Sequence, residues 1–354
     1  MHEHELYMRR CLELSQRAAG SVSPNPMVGA LLVYNGQIIA EDYHRVYGGP
    51  HAEVLVVEAV KRQYGDEAEK IFPLATLYVS LEPCAHHGKT PPCATMIAAH
   101  KIGRVVVACR DPFAAVNGKG IEILRQAGTE VIEGVLGNEA LRLNRRFVTR
   151  VSQQRPYVIL KWAQTADGYM APADGTQQWI SGAEAKQLVH RWRSEEDAVV
   201  IGVKTALADN PQLTVREWQG RNPKRIVVDK ELAVPEGACV LDSAAETIVF
   251  NASRTDWVEN VKYIALEDMD WYLPQKILYQ LYLMDVQSVI VEGGRKTLDL
   301  FIEAGLWDEA RVFTSGACWG TGIAAPVLHR KARYTMAVGN DRLDFFEKAA
   351  LPAG

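Results

Sequence analysis

Short apolar runs separated by turn residues begin with "MVGALLV" and "QIIAEDY", and Asn35-Gly36 stands between them. That dipeptide between two apolar runs predicts a β-hairpin. Ahead of it, Tyr7, Cys11, Leu14 and Ala18 fall on one face of an amphipathic N-terminal helix. After it, "HAEVLVVEAVKRQYG" carries apolar residues at helical spacing. "ATLYVSL" then reads as a strand, "CATMIAAHKI" as a helix, "RVVVAC" as a strand, "GIEILRQAG" as a helix ending at a glycine, and "TEVIEGV" as a strand. A helix over 138–151 closes this half. Strands alternating with helices predict partly parallel pairing, hence an α/β sandwich.

The polar stretch before Pro156 is the best linker, so the pattern divides the chain into domains 1–150 and 151–354. Strands recur beyond it at "YVILKWA", "DAVVIGV", "RIVVD", "TIVFN", "KYIAL", "SVIVEGG" and "EARVFTS". Ser181 and Glu184 have capping-box spacing ahead of the helix "AKQLVHRWR". The second half is α/β as well, and the halves are not repeats of each other.

With 354 residues, nearly half of them apolar, the chain has room for about two domains of roughly 150 residues each. The formal charge of −4 supplies no basic footprint for nucleic acid. No apolar run approaches a membrane span, and the charged N-terminus is unlike a secretion signal. The expectation is a cytoplasmic enzyme, in which six cysteines serve as thiols or metal ligands.

"PHAEV" places His51 and Glu53 at a helix start, and the strand "TLYVSL" delivers Glu82-Pro83-Cys84; Cys93 opens the next helix. One imidazole and two thiolates suit Zn²⁺, with a fourth position left for water. A neighbouring carboxylate, Glu53, can take a proton from that water and pass it to a leaving amine. This is the His-x-Glu and Pro-Cys pattern of zinc deaminases, except that eight residues, "AHHGKTPP", separate the cysteines instead of two. The longer loop supplies His86, His87 and Lys89, polar groups suited to a phosphorylated small substrate. The rival reading is a closed structural site with His86 or His87 as fourth ligand, which leaves Glu53 without a role. The pattern could also belong to a nucleic-acid deaminase or to a non-enzymatic scaffold around zinc; the charge balance speaks against the first and Glu53 against the second.

"NPMVG", "PHAEV" and "LEPCAHHGKTPPC", with Asp111-Pro112 and "GKGIEIL", resemble the deaminase half of the bifunctional riboflavin-biosynthesis deaminase-reductases. "ILKWAQTADGYMA", "QWISGAEAKQLVHRWRSEEDAVVIGVKTALADNPQLTVR", "IVVD" and "VEGGRKTL" resemble the reductase half. The resemblance implies a cytidine-deaminase-like three-layer sandwich followed by a dihydrofolate-reductase-like domain. It implies zinc-dependent removal of an amino group from a phosphoribosylated diaminopyrimidinone, then reduction of the ribosyl group to a ribityl chain with NADPH. The expected partner is a small phosphorylated pyrimidine, with no nucleic acid and no membrane, and a homo-oligomer is expected.

Residue by residue, the resemblance makes His51, Cys84 and Cys93 the metal ligands and Glu53 the proton shuttle. Asn25, His44, His86 and Lys89 match substrate positions in the first half. Lys161, Gln177, Arg193, Leu213, Arg216 and Glu292 do so in the second. Ala163, Trp179, Thr205, Asp209, Gly294, Arg295, Lys296 and Thr297 match cofactor positions. The Gly293-Gly294 step before a helix is the candidate pyrophosphate cradle, and Arg254 the candidate partner of the 2′-phosphate. Asp167 either orients groups near the nicotinamide or makes the turn before Gly168. The sequence departs from the family pattern at Thr165, where "TADG" replaces S-L-D-G, at Gln177, at Lys230, where serine is usual, and in the run "TSGACWGTGIAAP".

Overall fold

The structure, a computed structural model, describes residues 2–85, 92–113, 116–176 and 178–348. The chain divides into two compact units after Gln153.

The first unit runs α1 (His2–Gln16), β1 (Gly29–Tyr34), β2 (Gln37–Tyr43), α2 (Ala52–Tyr64), α3 (Ala68–Ile71), β3 (Thr76–Val79), α4 (Cys93–Ala99), β4 (Arg104–Val107), α5 (Lys119–Gln126), β5 (Glu130–Glu133), α6 (Gly137–Leu143) and α7 (Arg145–Gln153). Its sheet has the order β2-β1-β3-β4-β5. β1 pairs antiparallel with both β2 and β3, whereas β3, β4 and β5 are parallel. Asn35 and Gly36 both take positive φ at the β1–β2 turn, as the hairpin reading requires. Side chains alternate across the sheet. Ala30, Leu32, Leu77, Val79, Val105 and Val107 meet α2, α4 and α5 on one face. Leu31, Val33, Tyr78 and Val106 meet α1 and α6 on the other. Burial on both faces explains why these strands read as nearly continuous apolar runs.

The closing helix is not continuous. It breaks at Asn144, whose carboxamide accepts from Met27 N (2.8 Å) and donates to Met27 O (2.9 Å). This residue ties the C-terminal helices to the segment leading into β1.

The second unit runs β6 (Tyr157–Gln164), β7 (Tyr169–Ala171), α8 (Ala183–Glu195), β8 (Ala198–Gly202), α9 (Val203–Asp209), β9 (Lys224–Val228), β10 (Thr247–Asn251), β11 (Asp256–Val258), β12 (Val261–Ala265), α10 (Leu273–Leu283), β13 (Ser288–Val291), α11 (Arg295–Glu303), β14 (Glu309–Thr314), β15 (Ile323–Ala324), β16 (Tyr334–Val338) and β17 (Asp341–Glu347). The main sheet has the order β11-β12-β10-β9-β8-β13-β6-β14-β17-β16, parallel from β12 to β14 with antiparallel edges. Val158, Leu160 and Trp162 of β6 pack toward α10 and α11. Tyr157 and Ile159 pack toward α8. The Ser181–Glu184 capping box does not form. Gly182 caps α8, its N–H donates to Asp341 Oδ2 (2.7 Å), and the Glu184 carboxylate lies instead against the Gly339 turn. Among the described residues no helix is long and apolar enough to cross a membrane.

Asn144→Ala should destabilise the first unit by about 1–3 kcal/mol, because it leaves the Met27 amide and carbonyl without their partners. Thermal denaturation of the full chain measures this, and an unchanged transition would show that the break at Asn144 has no tethering role.

Candidate active sites

Three elements of the first unit converge. His51 directly precedes α2, with extended backbone at the helix cap. Cys84 follows the exit of β3, and Cys93 opens α4. His51 Nδ1 lies 3.6 Å from Cys84 Sγ and 3.3 Å from Cys93 Sγ, and the three donor atoms fall within 4.8 Å of one another. Tetrahedral zinc, with bonds of about 2.3 Å to sulfur and 2.0–2.1 Å to nitrogen, requires N···S edges of about 3.5 Å. The donor set therefore fits zinc in both chemistry and spacing.

The Cys93 backbone N–H also donates to Cys84 Sγ (3.3 Å). The Cys93 thiol hydrogen-bonds to Cys84, which holds the Cys84 thiol down to about 4 and pushes Cys93 well above the ordinary thiol range. A hydrogen bond to Cys84 raises the His51 pKa. Glu53, in the first turn of α2, is 3% exposed, and burial raises its carboxyl above the usual carboxylate range. His44 packs its ring edge-on to His51 at 5.5 Å. Pro50 O can only accept, so His44 Nδ1 carries the proton of that 2.9 Å bond, and Nε2 accepts from Asn25 Nδ2 at 3.1 Å. Burial lowers the His44 pKa, consistent with the neutral ring. His44, and Asn25 through it, are thus brought to the His51–Cys84–Cys93 group. His86 and Lys89 lie outside the described residues.

The second unit contains a cavity of about 1260 Å³. Lys161, Ala163, Trp179, Thr205, Asp209, Glu292, Gly294, Arg295, Lys296 and Thr297 all line it. Glu292, at the exit of β13, receives a two-pronged bond from Arg193 (2.8 Å each), with Lys161 Nζ at 3.9 Å. Burial pushes the Glu292 carboxyl up, but Arg193 and Lys161 outweigh it and leave it at about 2. Burial lowers the pKa of Lys161 and raises that of Asp209.

Gly294 caps α11 without a side-chain hydrogen bond, so the first turn faces the cavity uncapped. Thr205 Oγ1 accepts the Gly294 N–H (2.9 Å), and a Cβ on Gly293 would meet Thr297 Cβ at 2.7 Å. A helix start with no side chain in front of it fits a pyrophosphate.

Three expected positions lie elsewhere. Leu213 buries its side chain in the core at positive φ, and Arg216 donates its N–H to His190 Nδ1 (3.1 Å); neither lines the cavity. Arg254 pairs with Asp256 and stacks over Tyr263 at the sheet edge, away from the cavity lining. Gln177 lies outside the described residues. Lys230 does line the cavity and pairs with Asp270 at 2.7 Å.

A model of the cytidine and deoxycytidylate deaminase zinc-binding region matches residues 1–109, and one of the RibD C-terminal domain matches residues 156–330. The riboflavin biosynthesis protein RibD of Aquifex aeolicus is 41% identical over 90% of this chain and 88% of its own length. The chain belongs to the RibD family. The Escherichia coli RibD is 35% identical, covering 90% and 89% of the two chains. A diaminohydroxyphosphoribosylaminopyrimidine deaminase/5-amino-6-(5-phosphoribosylamino)uracil reductase from Thermotoga maritima superposes with a TM-score of 0.88, at 37% identity, covering 98% of this chain and 99% of its own. RibD of Acinetobacter baumannii gives 0.86 at 32% identity, with the same coverage. As a RibD protein, the chain is a bifunctional enzyme of riboflavin biosynthesis, a zinc-dependent deaminase and an NADPH-dependent reductase. Its units have the cytidine-deaminase-like and dihydrofolate-reductase-like folds that the sequence led us to expect.

Zinc retention should weaken as pH falls, because Cys93 and His51, both with raised pKa values, must release protons to bind metal. Chelator competition at a series of pH values measures it; affinity independent of pH would exclude these ligands.

Proposed function

We propose that residues 1–150 hydrolyse the 2-amino group from 2,5-diamino-6-(5-phosphoribosylamino)pyrimidin-4-one. Residues 151–354 then reduce the ribosyl group of the product, 5-amino-6-(5-phosphoribosylamino)uracil, to a ribityl chain. The observation that carries the first step is the convergence of His51, Cys84 and Cys93 beside a buried carboxyl, Glu53. Zinc bound there supplies a Lewis acid and lowers the pKa of its water to about 7. Glu53 takes up a proton readily because it is buried, and it hands that proton to the departing amine so that ammonia leaves. The Asn25–His44–Pro50 chain fixes His44 in one tautomer at the edge of the site, where both side chains meet the pyrimidine. His86 and Lys89 are assigned to the same substrate, Lys89 to its phosphate, on the family pattern.

In the reductase, NADPH supplies the hydride when bound. The uncapped start of α11, with Gly294, Arg295, Lys296 and Thr297, holds its pyrophosphate; Ala163, Trp179, Thr205 and Asp209 line its path. Lys161 lines the cavity and presents its ammonium to the ribose and its phosphate; Arg193 is bound to Glu292 and, with Gln177, Leu213 and Arg216, is assigned to the same substrate on the family pattern alone. The cavity position of Lys230 favours it over Arg254 as the partner of the 2′-phosphate. A cytoplasmic location suits the six free cysteines, and a homo-oligomer completes the proposal.

Glu53→Gln should lower deamination by at least about 10²-fold while leaving reduction of the pre-deaminated substrate near wild type. Product masses with and without NADPH separate the two steps, and a joint loss in a folded variant would contradict the two-site assignment. Lys230→Ala should weaken NADPH binding by about 10-fold, the equivalent of about 1.4 kcal/mol, and leave NADH binding unchanged. Equal loss for both cofactors, read by nucleotide fluorescence titration, would remove Lys230 from the 2′-phosphate site.

A further inference from the structure

Three sequence features of the first unit are not used by the chemistry above: the glutamate of Leu81-Glu82-Pro83-Cys84, the Asp111-Pro112 step, and Gly118-Lys119-Gly120. The structure joins them. Glu82 is 3% exposed and stands where the chain leaves β3. Its Oε2 accepts from Asp111 N (3.2 Å) and Gly118 N (2.9 Å). Its Oε1 accepts from Gly120 N (2.9 Å) and Ile121 N (3.4 Å). The Glu82 N–H in turn donates to Cys109 O (3.0 Å). A buried carboxylate is costly unless hydrogen-bonded, and here four backbone N–H groups, several at the start of α5, meet that need.

The next residue is held just as closely. A Cβ on Gly120 would lie 2.0 Å from Pro83 O and 3.3 Å from Glu82 Oε1. The backbone before Cys84 therefore rests directly on the first turn of α5. Helix α4, which begins with Cys93, packs on α5 as well. One helix thus supports the path into Cys84 and the element that presents Cys93.

We propose that Glu82 is a positioning residue of the metal centre. With Gly120 it forms a lock between the β3 exit and α5 that sets Cys84 Sγ against Cys93 and His51. Zinc affinity, and not only folding, depends on the lock. This rests on the zinc assignment to His51, Cys84 and Cys93. Outer partners that orient metal ligands typically alter affinity by about 10–100-fold when lost.

The test is the zinc dissociation constant of the full-length chain, by competition against a chromogenic chelator, paired with the thermal transition of the metal-free protein. Glu82→Gln keeps the shape but turns an NH₂ toward backbone N–H donors. Gly120→Ala disturbs the lock from the opposite side and leaves Glu82 in place. Both should weaken zinc binding by about 10–100-fold. Leu124→Ala is the control: it removes core packing from the same helix, on the face toward the sheet. It should lower the thermal transition and leave zinc affinity at the wild-type value. Wild-type zinc affinity in Glu82→Gln or in Gly120→Ala overturns the proposal. So does a loss of affinity in Leu124→Ala that matches theirs at equal loss of stability. If Glu82→Gln does not fold, Gly120→Ala and the control decide. Cys84→Ser separates the two levels: full zinc retention there would refute the ligand assignment itself, and the lock's role with it.

Discussion

The backbone amides that gather around Glu82 mark the constraint on which the first unit depends. A parallel sheet can deliver side chains to a site only where its strands end, and there the backbone leaves one set of hydrogen bonds before it finds another. β3 ends at Val79, and within five residues the chain must place a thiolate to sub-ångström tolerance. Glu82 satisfies the amides of Asp111, Gly118, Gly120 and Ile121 at that point, and Pro83 lies on a helix whose second residue has no side chain. The ligand geometry is thus a consequence of how the strand exit is anchored. The second unit meets the same problem at the exit of β13, where Glu292 follows Val291 directly and is anchored by Arg193.

Three buried glutamates have three environments and therefore three behaviours. Glu53 has no cationic partner strong enough to offset burial, so its carboxyl is raised and holds protons readily. Glu292 is buried too, but Arg193 and Lys161 turn the balance the other way, and it stays ionised at about 2. Glu82 is served by neutral amides. Burial alone would have grouped these residues. Their neighbours leave one taking up a proton readily, one ionised beside two cations at a cavity and one bonded to backbone.

The convergence of His51, Cys84 and Cys93, the place of Glu53 at a helix start and the central strands were legible because each leaves a local trace: His-x-Glu at a helix start, Pro-Cys after a strand, apolar runs bounded by turns. What was not legible came from partners far along the chain. Asn144 looks like one more helical residue until Met27 is beside it. Ser181 and Glu184 have capping spacing, yet the cap of that helix is Gly182, held by Asp341 from 159 residues away. The short strands β7, β11 and β15 and the C-terminal hairpin of β16 and β17 were missed for a related reason. β11, β15 and most of β16 are exposed, so no apolar period marks them. Glu82 was read only as a neighbour of Cys84, since nothing local shows that four amides converge on it.

Two of the departures from the family pattern in the reductase, Thr165 and the run after β14, become intelligible on the same terms. Thr165 keeps the hydroxyl that serine would supply: it donates to Asp167 Oδ1 (2.5 Å) and accepts from Tyr169 N (3.0 Å). Asp167 then uses Oδ2 to accept from Trp319 N (2.9 Å) and Gly320 N (2.7 Å), inside the divergent run "TSGACWGTGIAAP". Ala166 N to Ala317 O and Ala325 N to Gly168 O complete the join, each at 2.8 Å. Those bonds engage backbone, so side chains in the run can change while the clasp persists. Asp167 is therefore best understood as holding the 315–325 segment against the β6–β7 turn, with Met170, Ala171 and Ile323 placed on the cavity wall as a result. Backbone recognition of this kind tolerates sequence change at the contacted residues and is strict only at the one side chain that makes the contacts.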